Sequence, residues 1–205
     1  MTHIRFLRLA AGLAAVAAMP AFAQGTDDAW VVRVGAHVVD PKTDNGHLAG
    51  MNASVSSSAR PTVSISYLLS SAWDIDLLAA APFRHEVRLN GQNAASTKQL
   101  PPTLGLNYHF FADAPVSPFL GAGVNYTRFF DTHGKGLLEG SKVKIENSWG
   151  VAAHAGVDMK LSSVWLVTVD ARWMRIRGHV HVDGANVGQA KIDPLVLGFS
   201  IGRRF

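Results

Sequence analysis

The 205-residue sequence contains no cysteine, which excludes a disulfide-stapled scaffold and any thiolate metal site. Charge is scarce: 17% of residues are charged, against roughly 25% in soluble domains. Long apolar runs are missing too. Beyond residue 23 no uncharged stretch exceeds 15 residues, and apolar ones such as Gln99–Ala112 and Ala114–Thr127 hold 14 each and contain Pro and Gly. A membrane-spanning helix needs about 18. There is no phosphate-binding glycine loop, dinucleotide fingerprint or nucleic-acid module. No Ser, His and Asp set has an interpretable spacing. His179 and His181 form an alternating pair, but two ligands do not make a metal site. No enzyme, cofactor, metal or nucleic-acid partner is expected.

What is present begins with a leader. Arg5 and Arg8 form a positive start, Leu9–Met19 an apolar stretch, and Ala21-Phe22-Ala23 a small-residue cleavage pattern. Residues 1–23 are therefore expected to be a signal peptide, leaving residues 24–205 as one domain. Removing the two leader arginines lowers the net charge from +4 to +2, so the basic balance says little about partners.

The remaining apolar residues alternate. Eight segments have period two: Trp30–Val39, Thr62–Leu69, Trp73–Pro82, Thr103–Phe111, Phe119–Phe130, Ser148–Met159, Trp165–Ile176 and Leu195–Phe205. In the seventh, Trp165, Val167, Val169, Ala171 and Trp173 oppose Thr168, Asp170 and Arg172. Side chains of a strand point alternately to opposite faces, so each segment can separate lipid from a polar interior. The links between segments alternate as well. Those after the first, third, fifth and seventh are long, the others short. An even strand number with short turns at one end and long loops at the other predicts an all-β, eight-stranded antiparallel transmembrane barrel. In that arrangement both termini are periplasmic and the long loops face outward. Trp30, Trp73, Trp149, Trp165 and Trp173 all fall at barrel rims on the apolar face, as an aromatic girdle requires. The terminal Phe205 suits recognition by the outer-membrane assembly machinery.

The sequence resembles the OmpW-type outer-membrane proteins. The resemblance rests on Leu77–His85 (LLAAAPFRH), Leu100–Leu104 (LPPTL), Gly121–Phe130 (GAGVNYTRFF), Ser148–Gly150 with Ala155–Asp158, and Asp193-Pro194 leading to Gly202–Phe205. It implies a narrow channel associated with passage of small hydrophobic molecules across the outer membrane. It also implies a hydrophobic constriction at Leu78. The facing position in the seventh strand, where an aromatic would complete that constriction, is Arg172 here.

The predicted inward residues include Arg33, His37, Asp74, Asp76, Asn107, His109, Asn125, Thr127, His154, Asp158, Asp170 and Arg172. An eight-stranded barrel is just wide enough for its side chains to fill it, so these charges are expected to pair. Leu78 and Met174 are apolar interruptions that could line a permeation path or simply pack. Pro82 at the end of the third strand and Pro101 and Pro102 before the fourth remove ladder donors from one neighbouring pair. They mark a candidate lateral opening. Basic loop residues such as Lys42, Arg60, Arg84, Lys98 and Lys144 suit lipopolysaccharide phosphates, or form an ordinary solvated surface. A structural or adhesion barrel with a filled lumen is the competing reading to transport.

Overall fold

The computed structural model describes residues 29–205, so the expected signal peptide and its cleavage site lie outside the described residues. The described chain forms fifteen strands: β1 (Trp30–Asp40), β2 (His47–Leu48), β3 (Met51–Val55), β4 (Ser58–Leu68), β5 (Trp73–Ala80), β6 (Phe83–Leu89), β7 (Gln92–Leu100), β8 (Thr103–His109), β9 (Val116–Gly134), β10 (Val143–Ile145), β11 (Ser148–Lys160), β12 (Trp165–Met174), β13 (Arg177–Val182), β14 (Ala185–Lys191) and β15 (Leu195–Arg204). A single 3₁₀ turn, Gly136–Leu138, is the one helical element among the described residues.

Eight of these strands close a barrel. β1, β4, β5, β8, β9, β11, β12 and β15 pair in that order, each antiparallel to the next, and β15 returns to β1. They correspond to the eight alternating segments, with ends shifted by a few residues. The closing seam is sealed to its end: the Trp30 and Phe205 backbones exchange hydrogen bonds of 3.1 and 2.8 Å. Outward positions carry largely exposed apolar side chains, such as Trp149 at 74% exposure and Phe199 at 59%. A continuous exposed apolar belt of this kind is a lipid-facing surface. Aromatic rings cap it at both rims. Trp30 lies 4.8 Å from Tyr67 and Trp73 lies 5.0 Å from Tyr108 at the rim nearer the termini. Tyr126 lies 4.7 Å from Trp149 at the far rim.

The four long links are not loops. They contribute seven further strands that build a second wall on the far rim, in the order β10, β13, β14, β2, β3, β6, β7 and then the upper part of β9. β9 has 19 residues, roughly 60 Å of strand, so it passes through both walls. Two-residue turns with both residues at positive φ make the hairpins: Ala49-Gly50, Asn90-Gly91 and Asp183-Gly184. Such turns match the right-handed twist of their strands. The extension is open along one line, where β10 and the upper part of β9 are neighbours without ladder pairing. A cleft of about 450 Å³ lies there between Arg128–Thr132 and Val143–Asn147.

Candidate functional site

The barrel interior has two layers of opposite chemistry. The layer nearer the termini is a network of ion pairs. Arg33 on β1 places Nη2 2.9 Å from Asp158 on β11. It also donates from Nη1 to Ser66 at 2.7 Å and from Nε to Thr168 at 3.0 Å. Arg172 on β12 reaches across to Asp76 on β5 at 2.6 Å and to Asp170 at 3.3 Å. His37 and His154 both meet Asp170, at 3.2 and 3.0 Å. His109 pairs closely with Asp74, whose other oxygen accepts from Asn107 at 3.1 Å. Four carboxylates thus face two guanidinium groups, and three imidazoles complete the pairing.

This arrangement requires local sequence choices. The paired aspartates stand at alternate positions, Asp74 and Asp76 on β5, because only every second residue faces inward. Gly198 on β15 leaves room for the network. A Cβ there would come within 2.1 Å of His37 Nε2 and 2.7 Å of Asp170 Oδ1. The void enclosed by these residues is about 10 Å³, room for a single water. The structure therefore brings Arg33, Asp74, Asp76, His109, His154, Asp158, Asp170 and Arg172 into one buried cluster and leaves no straight passage through it.

Above the network the lining turns apolar. Leu78 lies two residues beyond Asp76 on the same face of β5 and is buried, and Met174 lies two beyond Arg172 on β12. The Arg172–Asp76 pair therefore forms the floor directly beneath Leu78 and Met174. From Met174 outward, a buried cluster of Phe83, Phe129, Ile145, Ile176, Val180 and Ile192 fills the extension. It borders an apolar chamber of about 30 Å³, reached by Val87, Leu89 and Ala95 from β6 and β7. This chamber was not anticipated from the sequence, because its residues sit in segments read as loops. The usable signals were the alternation Phe83, His85, Val87, Leu89 and the turn pairs Asn90-Gly91 and Asp183-Gly184.

The prolines interrupt the wall between β5 and β8. Register pairing there ends at Leu78 with Thr103 and resumes only between β6 and β7, at Phe83 with Gln99. Each side of the gap is tied to its outer neighbour instead. Ala81 N–H donates to the Pro61 carbonyl at 3.1 Å, and Arg60 Nε donates to the Pro82 carbonyl at 3.0 Å. Across the gap, the carbonyls of Pro101 and Pro102 accept from Asn125 Nδ2, both at 3.1 Å. The gap in the ladder is bounded by paired strands above and below, because β6 and β7 continue the hairpin past Pro82 and Pro101.

The five tryptophans stand at the rims. Trp30, Trp73, Trp149 and Trp173 are exposed outward, and Trp165 packs under the Arg203 guanidinium at 5.8 Å.

Comparison with known proteins agrees with this geometry. The sequence profile of the OmpW family matches residues 28–205. Outer membrane protein W of Escherichia coli K12 is 35% identical over 85% of this chain and 87% of its own length. A Pseudomonas aeruginosa protein named for a dibenzothiophene metabolism operon is 29% identical over 76% of each. Among solved structures, the OprG barrel from P. aeruginosa superposes with a TM-score of 0.74 at 30% identity, covering 86% of this chain and 95% of that one. The solution structure of E. coli outer membrane protein W gives 0.63 at 31% identity, covering 86% and 97%.

Proposed function

The chain belongs to the OmpW family of outer-membrane barrel proteins, and from that premise we propose that it passes small hydrophobic solutes from outside the cell into the outer membrane by a lateral route. The observation that carries this reading is the change of chemistry at the level of Leu78. Below it, a solute would have to displace the Arg172–Asp76 pair, and above it the lining is apolar. An apolar molecule loses free energy of transfer on entering charged surroundings and gains it on entering lipid. The window at Pro82, Pro101 and Pro102 opens from the apolar layer toward the bilayer. Arg172, at the place where an aromatic was expected, then acts as a polar floor that turns the solute sideways. The name of the dibenzothiophene operon relative is in keeping with apolar cargo.

The test is uptake of a labelled apolar tracer by cells. Leu78→Asp is expected to slow it severalfold in a barrel that still folds. A disulfide joining Cys replacements at Arg84 and Lys98, directly opposed beside the window, is expected to do the same, and reduction restores uptake. Normal uptake by both folded variants would refute the lateral route and favour a structural barrel, for which the filled lower lumen is the supporting observation.

The same reading orients the protein, with both termini periplasmic, the extension outside, and basic residues of the extension available to lipopolysaccharide phosphates. The terminal Phe205 would then face the assembly machinery from the periplasm. A Cys placed at Asn186 in the β13–β14 hairpin is expected to react with an impermeant thiol reagent in intact cells. Reaction only after the outer membrane is broken would reverse the orientation.

A further inference from the structure

Two side chains one inward-facing position below the lining of the apolar chamber have polar atoms with nothing to bind. Gln99 on β7 and His85 on β6 are both fully buried. Among the described residues neither amide atom of Gln99 has a hydrogen-bond partner, and neither does His85 Nε2. The two residues are diagonal neighbours on one inner face, since Phe83 opposes Gln99 and His85 opposes Thr97. Diagonal positions of that kind are about 7–8 Å apart. Val87 and Thr97, the next residues outward, line the chamber itself.

The geometry points to a polar recognition site at the chamber floor that selects apolar solutes carrying one hydroxyl group. This inference rests on the transport reading above and names its cargo more closely. Leaving a buried donor or acceptor unpaired costs about 1–3 kcal/mol, so three such atoms in one place call for a partner. The chemistry of the pair narrows what that partner is. His85 Nδ1 lies 2.6 Å from the Ser56 carbonyl, and a carbonyl can only accept, so Nδ1 carries the proton. Burial pushes the pKa of this imidazole down, outweighing the Ser56 bond, with Arg60 adding to the effect. The ring is therefore neutral at pH 7 and Nε2 is an acceptor. Gln99 offers N–H donors beside it. A hydroxyl reaches both side chains at once, donating to His85 Nε2 and accepting from Gln99 Nε2, which pairs two of the three atoms and leaves Gln99 Oε1 to water. A ketone or ether leaves His85 unpaired, and a carboxylate brings an uncompensated charge into an apolar chamber. The apolar body of the solute would lie outward against Val87 and Leu89, in a chamber that has to widen from its about 30 Å³ to take it.

The probes are p-cresol and toluene, equal in shape except for the hydroxyl. With the isotope-labelled protein in lipid nanodiscs, p-cresol is expected to show nuclear Overhauser contacts from its ring protons beside the hydroxyl to the Gln99 side-chain amide. Toluene is expected to contact Val87 and Leu89 without that contact. In cells, Gln99→Leu is expected to lower the uptake ratio of p-cresol to toluene about tenfold, the factor for loss of one hydrogen bond near 1.4 kcal/mol, while toluene uptake is kept. Heat-dependent gel mobility checks folding, and Gln99→Met replaces Gln99→Leu if the latter does not fold. Absence of p-cresol contacts to Gln99, or contacts identical to those of toluene, overturns the site and leaves the pair as a water position only. An unchanged uptake ratio in a folded variant overturns it equally. Uptake of neither compound above cells lacking the protein refutes the transport reading instead, and the nanodisc contacts still decide the site.

Discussion

The two layers of this barrel solve the problem of a filled interior in opposite ways. The layer nearer the termini uses charge: every carboxylate meets a cation or an imidazole, and the surrounding ladder is continuous. The outer layer uses apolar packing, and its wall is broken twice, at the proline window and along the line between β9 and β10. Ion pairs in a dry lumen hold only when each member is satisfied, which demands fixed geometry and an unbroken frame. Apolar contacts are non-directional and tolerate a wall that opens. A continuous frame and an interrupted wall are thus separated along one axis, and Arg172 and Leu78 stand on either side of the boundary.

The largest effect that would break this contrast is expected in the charged layer. Asp76→Leu leaves Arg172 with the more distant of its two carboxylates, and loss of a partner from a buried pair costs about 3–5 kcal/mol. Urea titration in lipid vesicles reads it, and Asp76→Leu combined with Arg172→Leu should recover a large part of the loss. If the single replacement costs nothing, the lower layer is not a rigid plug. Next in size is a charge on the lipid face of the same strand. Val169→Arg, beside Phe199 at mid-barrel, is expected to cost about 2–4 kcal/mol, whereas Thr168→Arg enters the lumen and acts on the plug. The smallest effect belongs to the extension. Gly91 sits at φ +82° in open space, so Gly91→Ala introduces left-handed strain of roughly 1–2 kcal/mol. That strain is expected to loosen the β6–β7 hairpin, seen as faster amide exchange there, without altering barrel stability. Loss of the whole barrel from this replacement would show that the two walls fold as one unit.

How much of this was legible in the sequence follows the same division. The barrel strands announced themselves because one face of each meets lipid and the other meets charge, so polarity alternates strongly in Trp165–Met174 or Trp30–Asp40. The inward aspartates and arginines were found with them. The extension escaped because both its faces are mixed. Outward residues such as Arg84, Glu86 and Arg88 made Phe83–Leu89 look like a solvated loop, and Gln92–Leu100 alternates weakly, with a register shift where β6 meets β7. Gln99 gave no signal at all. A glutamine in a loop is unremarkable until the fold buries it with no partner. Leu78 was visible as an apolar interruption of the inner face, the family resemblance added the expected constriction, and its place above Arg172 needed the register of two strands from distant parts of the chain.

The reciprocal hydrogen bonds between Trp30 and Phe205 have a consequence for how the molecule is made. The first and last strands of the barrel are neighbours, so the ring cannot close until β15 has been made and exported. Until β15 arrives, β1 and β12 each present an unpaired edge, and such edges invite pairing with another chain. Joining strands so far apart in sequence also makes closure slow, because the entropy of ordering the loop is lost before the contacts form. The nascent barrel therefore passes through a period in which its two most adhesive surfaces are exposed together. A chain that loses its final strand would not be a slightly weaker barrel; it would be an open sheet with two free edges in a membrane.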